Sequence, residues 1–147
     1  EKMNVETTKW DVTETTTKEN FSEILNHDLF FNCVVSNKET PTFISEEIIQ
    51  NGQNLSIIGD IACDPGSKNN PIAVYNDVTT WSEPVTRVSE NPILDVMAID
   101  NLPSLLPLES SIDFASQLLP SLMEIDKINE SVWLRAYQTY LDNMELI

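Results

Sequence analysis

The sequence predicts an α/β fold, with a mainly parallel sheet over residues 1–99 and amphipathic helices over 100–147. Three observations predict it. Apolar runs of strand length alternate with helix-like stretches along the first part of the chain, as in βαβ units. Two of these runs, "DLFFNCVV" and "LSIIGDIA", are continuous rather than alternating, as in strands covered on both faces. After "ILDVMAID" the apolar residues recur at three-to-four spacing, which is the period of a helix.

In chain order, "MNVETTKWDV" reads as a strand ending near Asp11, and "TETTTKEN" as a Thr-rich loop. Phe21 to Asn26 reads as a short helix capped by Asn20. "DLFFNCVV" is the next strand; Ser45 is placed to cap "EEIIQNG", with Gly52 as its stop, and "LSIIGDIA" follows as a strand. "CDPGSKNNP" is loop text, "IAVYNDVTTW" is open between classes, and "EPVTRV" and "ILDVMAID" are further strands. Ser110 or Ser111 can cap "SIDFASQLLPSLMEI", whose Ile112, Ala115, Leu118, Leu119, Leu122 and Ile125 share one face. Pro120 lies inside that pattern and predicts a kink or break. "NESVWLRAYQTYLDNMEL" is a second amphipathic helix with Val132, Trp133, Ala136, Tyr140, Leu141 and Met144 inward.

Composition narrows the function classes. Among 147 residues, 24 acidic side chains face 8 basic ones, for a formal charge of −16. Nucleic acid and anionic membrane surfaces are excluded as partners, because phosphate binding needs a basic face; the acidic excess makes a well-solvated surface. No apolar run approaches a membrane span and the first residues show no signal-peptide pattern. Cys33 and Cys63 sit in strand-like text without a CxxC spacing, the expectation being small buried thiols in a reducing cytoplasm. His27 is the sole histidine, so neither a histidine metal site nor a His-based triad can be assembled. The chain opens on Glu1 rather than Met and reads as a piece of something longer.

Ligands of open parallel sheets bind beyond the carboxyl ends of the strands. Three strand ends carry an acid here: Asp11, Asp64 and Asp100. One such aspartate is commonly a turn or cap residue, but three on one edge point to a site. An acid closing the second strand of a dinucleotide-binding fold accepts from both hydroxyls of the adenosine ribose and repels a 2′-phosphate. Only Gly52, Gly59 and Gly66 are present and none makes G-x-G-x-x-G, so a glycine turn for the pyrophosphate is expected upstream of Glu1. Lys68 in the "DPGSKNNP" loop reads as solvated, and Trp133, Tyr137 and Tyr140 read as helix core rather than a ligand cage.

"TTKWDVTET", "DLFFNCVV", "IGDIACDPGSKNNPIAVYNDVTTW" and "AIDNLPSLLPLESSIDFASQLLPSL", in that order and on through "VWLRA", resemble the C-terminal part of the NAD-dependent, L-lysine-forming saccharopine dehydrogenases, relatives of the alanine dehydrogenase and transhydrogenase group. The resemblance implies the later part of a Rossmann-like NAD-binding domain, its first strand and glycine turn missing, followed by helices that return to a missing first domain. It implies oxidative deamination of saccharopine to L-lysine and 2-oxoglutarate, with NAD as cofactor. By matching position, Asp11 would hold the adenosine ribose, with Thr15 and Ile61 as further cofactor contacts. Ala62, Cys63 and Asp64 would touch the substrate, and Ile99, Asp100, Asn101 and Leu102 would lie along the nicotinamide side. Pro103 and Pro107 would stiffen the exit from that loop.

The departures are equally specific. Val35 stands where fungal members carry a cofactor-contacting tyrosine, and Asn101 replaces a histidine common among them. "IDNLP" also resembles the lysine–2-oxoglutarate reductase domain, which prefers NADPH; Asp11 argues against that cofactor. The lysine and histidine that carry the family's acid–base work belong to the first domain, so no residue here inherits a proton-transfer role, and the partner expected is the N-terminal part of the same chain. A non-catalytic acidic interaction domain that keeps the fold is the reading from a different class.

Overall fold

A computed structural model describes residues 5–17, 21–50 and 54–144. It divides into two compact units, Glu1–Asp100 and Asn101–Ile147.

The first unit runs α1 (Val12–Thr17), a 3₁₀ turn (Ser22–Asn26), β1 (Leu29–Asn32), β2 (Ile44–Ser45), α2 (Glu46–Ile49), β3 (Ile57–Asp60), β4 (Ile72–Ala73), β5 (Thr86–Glu90) and β6 (Ile93–Met97). The main sheet has the order β1-β3-β6-β5. β1, β3 and β6 are parallel, with Asn32 beside Asp60 and Gly59 beside Met97. This is the mainly parallel sheet expected from the sequence. β5 departs from it and runs antiparallel to β6. Only Asn91 and Pro92 separate these two strands, and a two-residue connection can form a hairpin but not a parallel crossover. β2 and β4 form a second, two-residue parallel pair, Ile44 beside Ile72.

The core lies on one face of the main sheet. Ile58, Leu94 and Val96 are fully buried there with Ile44, Leu55 and Ile72, and Phe21 packs on Phe43 at 4.9 Å between ring centroids. The other face is open among the described residues: Leu29, Phe31 and Ile57 are exposed. Within the described residues of the first unit the continuous apolar runs therefore do not mean two covered faces, since none of that unit's described elements packs on that side. Gly59 belongs to the open face, where a Cβ would stand 2.5 Å from the Phe31 ring.

Two further expectations change near the start. Residues 5–11 form no strand, and the "TETTTKEN" segment begins as α1 rather than as a loop. The main sheet is built from β1, β3, β6 and β5 and the smaller one from β2 and β4, and a strand forms only where a ladder takes up its N–H and C=O groups. Asp11 instead starts a helix: its Oδ1 accepts the Thr13 N–H at 2.7 Å and Glu14 Oε2 accepts the Asp11 N–H at 2.9 Å. That reciprocal pair is a capping box, legible as D-x-x-E. The expected Asn20 cap and Gly52 stop lie outside the described residues. Ser45 does occupy the N-cap of α2, without a side-chain capping bond.

The second unit is a 3₁₀ turn (Leu102–Leu105), α3 (Pro107–Leu122) and α4 (Ser131–Met144). α3 starts ahead of the expected serine caps, with Pro107 in its first turn, a place where the missing N–H costs nothing. It continues through Pro120 and stops at Leu122. The Ser121 carbonyl, left over at that end, accepts the Glu124 N–H at 3.1 Å and the Trp133 indole N–H at 2.7 Å. The apolar stripes are largely exposed, Ile112 by 61% and Tyr140 by 57%. Tyr137 and Tyr140 stack on one another in solvent rather than filling a core. No described helix is long and apolar enough to cross a membrane.

Candidate functional site

The carboxyl ends of β1 and β3 are adjacent, and the segments leaving them form the walls of a crevice of about 440 Å³. Cys33, Val34, Val35 and Ser36 make one wall; Ile61, Ala62, Cys63 and Asp64 make the other. The second wall hangs at its start on the strand that leads into the first, since Asn32 O accepts the N–H of Ile61 at 2.9 Å and of Ala62 at 3.2 Å.

Beneath the walls lies a buried polar cluster. Asp60 is fully buried and Asn32 is 1% exposed. Asn32 Nδ2 donates to Asp60 Oδ1 at 2.9 Å, the Cys63 N–H donates to the same oxygen at 3.2 Å, and the Tyr75 hydroxyl donates to Asp60 Oδ2 at 2.6 Å. Tyr75 holds its proton far into the alkaline range, first because it is buried and then through its bond to Asp60.

Cys63 is the hinge of the second wall. Its φ of 47° is left-handed, and its thiol donates to the Ala98 carbonyl at 3.1 Å. Thr79 donates its N–H to the same carbonyl at 2.9 Å, and its hydroxyl accepts the Ala98 N–H at 2.9 Å. Burial pushes the Cys63 thiol up, and the charges of Asp100, Asp60 and Asp64 add to the rise. A protonated, hydrogen-bonded thiol is a poor nucleophile, so Cys63 shapes the crevice rather than attacking a ligand. Both cysteines are free; Cys33 is exposed and Cys63 half-buried, not the buried thiols expected, because β1 ends at Asn32 and β3 at Asp60, ahead of each cysteine.

The structure sorts the sequence-predicted residues into groups. Val35, Ile61, Ala62, Cys63 and Asp64 share the crevice, with Val35 almost wholly exposed. Asp100 is exposed beyond β6, near enough for its charge to act on Cys63, while Ile99 is buried and bridges Thr79. Asp11 and Thr15 do not line the crevice; they meet on the first turn of α1, where Thr15 Oγ1 donates to the Asp11 carbonyl at 2.9 Å. The Thr13 amide, followed by Glu14, holds the exposed Asp11 carboxyl below its ordinary value. Asn101 and Leu102 open the second unit. Asn101 has φ 54° and its carbonyl accepts the Ser104 N–H at 2.8 Å, so "DNLP" is a turn into Leu102–Leu105.

The acid at the end of β3 is not the one expected from the sequence. The strand ends on Asp60, not Asp64, which sits four residues on in the exposed wall. Sequence reading passed over Asp60, Asn32 and Tyr75. The signal was an acid and an amide inside otherwise apolar strands, "FFN" and "IIGD", where a polar residue must be satisfied if buried.

Among the described residues no group of three or more His, Cys, Asp and Glu side chains could hold a metal. The edge instead offers a slot with apolar patches, an acidic rim and a fixed floor, suited to a flat organic group.

The family model described as the C-terminal domain of alanine dehydrogenase/PNT matches residues 2–143. The chain belongs to this family. As an alanine dehydrogenase/PNT C-terminal domain it keeps the α/β, mostly parallel sheet that the sequence predicted. It is 43% identical over 136 residues to the saccharopine dehydrogenase (NAD(+), L-lysine-forming) of Candida albicans, covering 90% of this chain and 36% of that protein. Against the protein of the same name from Schizosaccharomyces pombe it is 39% identical over 137 residues, covering 90% and 37%. For Candida glabrata the figures are 39% over 136 residues, 90% and 37%. The domain thus spans little more than a third of the length of these relatives.

Proposed function

We propose that this domain is the cofactor-binding part of an NAD-dependent saccharopine dehydrogenase of lysine metabolism. The overall reaction would take saccharopine, water and NAD to L-lysine, 2-oxoglutarate and reduced cofactor. The observation that carries the reading is the crevice at the carboxyl ends of β1 and β3, in a chain 43% identical to a protein bearing that name. Parallel sheets of this type take ligands at that edge.

In this reading Asp11 accepts from the adenosine ribose and Thr15 and Ile61 lie along the cofactor. Val35 offers only an apolar surface, and Ile99, Asp100, Asn101 and Leu102 follow the nicotinamide side. Ala62, Cys63 and Asp64 face the substrate, whose ammonium groups suit an acidic rim. NAD would supply the hydride acceptor; the residues here bind, orient and exclude water. The acid–base groups would come from the N-terminal part of the same protein. The free thiols Cys33 and Cys63 accord with a cytoplasmic setting.

The test is calorimetric titration of the full-length protein with NAD and NADP, with Asp11→Asn as the variant. Asparagine also caps helices, so α1 should survive while the ribose contact weakens. Tight NAD binding, weak NADP binding and a roughly tenfold weaker NAD complex in the variant are expected, a loss on the scale of one charged hydrogen bond. Absence of NAD binding by folded wild-type protein would overturn the reading. Preference for NADP would favour the lysine–2-oxoglutarate reductase, whose "IDNLP" this chain shares at Ile99–Pro103.

A further inference from the structure

Asp60 is fully buried, and among the described residues no lysine or arginine pairs with it. A carboxylate is costly to bury unless donors replace its water. Three do here, from Asn32, Cys63 and Tyr75. None of the contacts assigned above to cofactor or substrate uses this carboxylate, so its cost calls for another explanation.

The partners show one. Asn32 leads directly into the first wall, and its Oδ1 accepts the Val34 N–H of that wall at 3.3 Å. Cys63 lies in the second wall with φ 47°, a backbone region that residues with a Cβ seldom occupy unless held. Asp60 holds it by the N–H, and the Ala98 carbonyl holds it by the thiol. Tyr75, 5% exposed, grips the other carboxylate oxygen from behind. One carboxyl group therefore ties both walls of the crevice to the buried floor.

We propose that Asp60 is a positioning residue: pinned by Tyr75 and Asn32, it holds the Cys33–Ser36 and Ile61–Asp64 walls at the spacing that accepts the flat ring of a nicotinamide dinucleotide. The identity of the ligand rests on the function proposed above; the fixing of the walls does not.

The test uses the full-length protein with Asp60→Ala, Asp60→Asn and Tyr75→Phe. Two quantities are read: the rate at which iodoacetamide alkylates Cys63, followed on its own peptide by mass spectrometry, and the Kd for NAD. Asparagine keeps an oxygen for Asn32 and Cys63 but removes the charge, so positioning and charge part company. Asp60→Ala should raise Cys63 alkylation and weaken NAD binding by about tenfold each, as expected for a buried hydrogen-bond set left unmade. Asp60→Asn should return both to within roughly threefold of wild type, and Tyr75→Phe should fall between. An asparagine variant as impaired as the alanine one would overturn positioning in favour of charge. Unchanged alkylation in folded Asp60→Ala would overturn the proposal outright. If Asp60→Ala does not fold, Tyr75→Phe decides, and unchanged Cys63 alkylation there overturns it. If wild type binds no NAD, the dinucleotide reading falls and the alkylation arm still decides the role of Asp60.

Discussion

The Cys63 thiol donates to the Ala98 carbonyl at 3.1 Å, fastening the loop after β3 to the residue after β6. The bond exists only while the thiol keeps its proton. The Tyr75 hydroxyl, donating to Asp60, has the same requirement.

Alkaline pH should therefore loosen this edge. Both groups titrate higher in the folded protein than their ordinary values of 9.0 and 10.0. A raised folded value means that the fold holds the proton more tightly, so its contribution is full below the ordinary value and is lost as pH climbs past it. The urea midpoint should stay level from about pH 7 to 8.5 and fall above about pH 9 to 10. Tyr75→Phe should flatten the upper part of that fall. A midpoint unchanged through about pH 11 in wild type would show that neither proton matters to stability.

Acid should act elsewhere, at the capping box. The Asp11 carboxyl lies below its ordinary value of 3.8, chiefly through the Thr13 amide. Its contribution is present above that value and lost as pH falls through the lower folded one. Hydrogen exchange at Thr13 should be protected near neutrality, with protection lost below about pH 4 and in Asp11→Ala at every pH. Asp11→Asn should keep the protection at low pH. Equal exchange in wild type and Asp11→Ala would mean that the cap holds nothing.

The centre of the first unit rests on Ile58, fully buried on β3 beside Phe30 and Val96 in the ladder. Ile58→Ala should cost about 3 kcal/mol, through lost burial and the cavity left behind. That is a large share of the roughly 5–15 kcal/mol typical of a domain. Chemical denaturation should show it as a lower midpoint with little change in slope. A loss under about 1 kcal/mol would mean that the sheet closes over the gap.

The elements that sequence reading placed well were those whose signal is local. "LFFN", "IIGD" and "ILDVM" are strands because apolar runs of that length between turn residues have few alternatives. Pro107 was less legible: it opens α3 ahead of the expected serine caps, in a first turn where a missing N–H is tolerated. What stayed hidden depends on partners. "MNVETTKWDV" has the text of a strand, yet a strand needs a ladder, and over its described residues it is the capping box at Asp11 that forms. Asp64 and Asp100 stand out in the sequence at apparent strand ends, while Asp60 is masked by its apolar neighbours. Its importance depends on Tyr75, fifteen residues away in sequence. No periodicity announces such a contact.

In the second unit, Pro120 lacks the N–H that would continue the helical ladder, and two residues later α3 ends. The Ser121 carbonyl is then served by the Glu124 N–H and, from the start of α4, by the Trp133 indole N–H at 2.7 Å. The indole is half-buried, so this bond is shielded in part from water. Trp133→Phe keeps an aromatic ring and removes the donor, and should cost about 1 kcal/mol. The loss should appear as faster amide exchange at Met123 and Ile125, whose N–H groups close the end of α3 on Leu119 and Leu122. Exchange in the first unit, at Ile58 for example, should not change. Faster exchange throughout the chain would mean instead that Trp133 supports more than the α3–α4 turn, and unchanged exchange at Met123 and Ile125 would mean that the Glu124 N–H alone suffices.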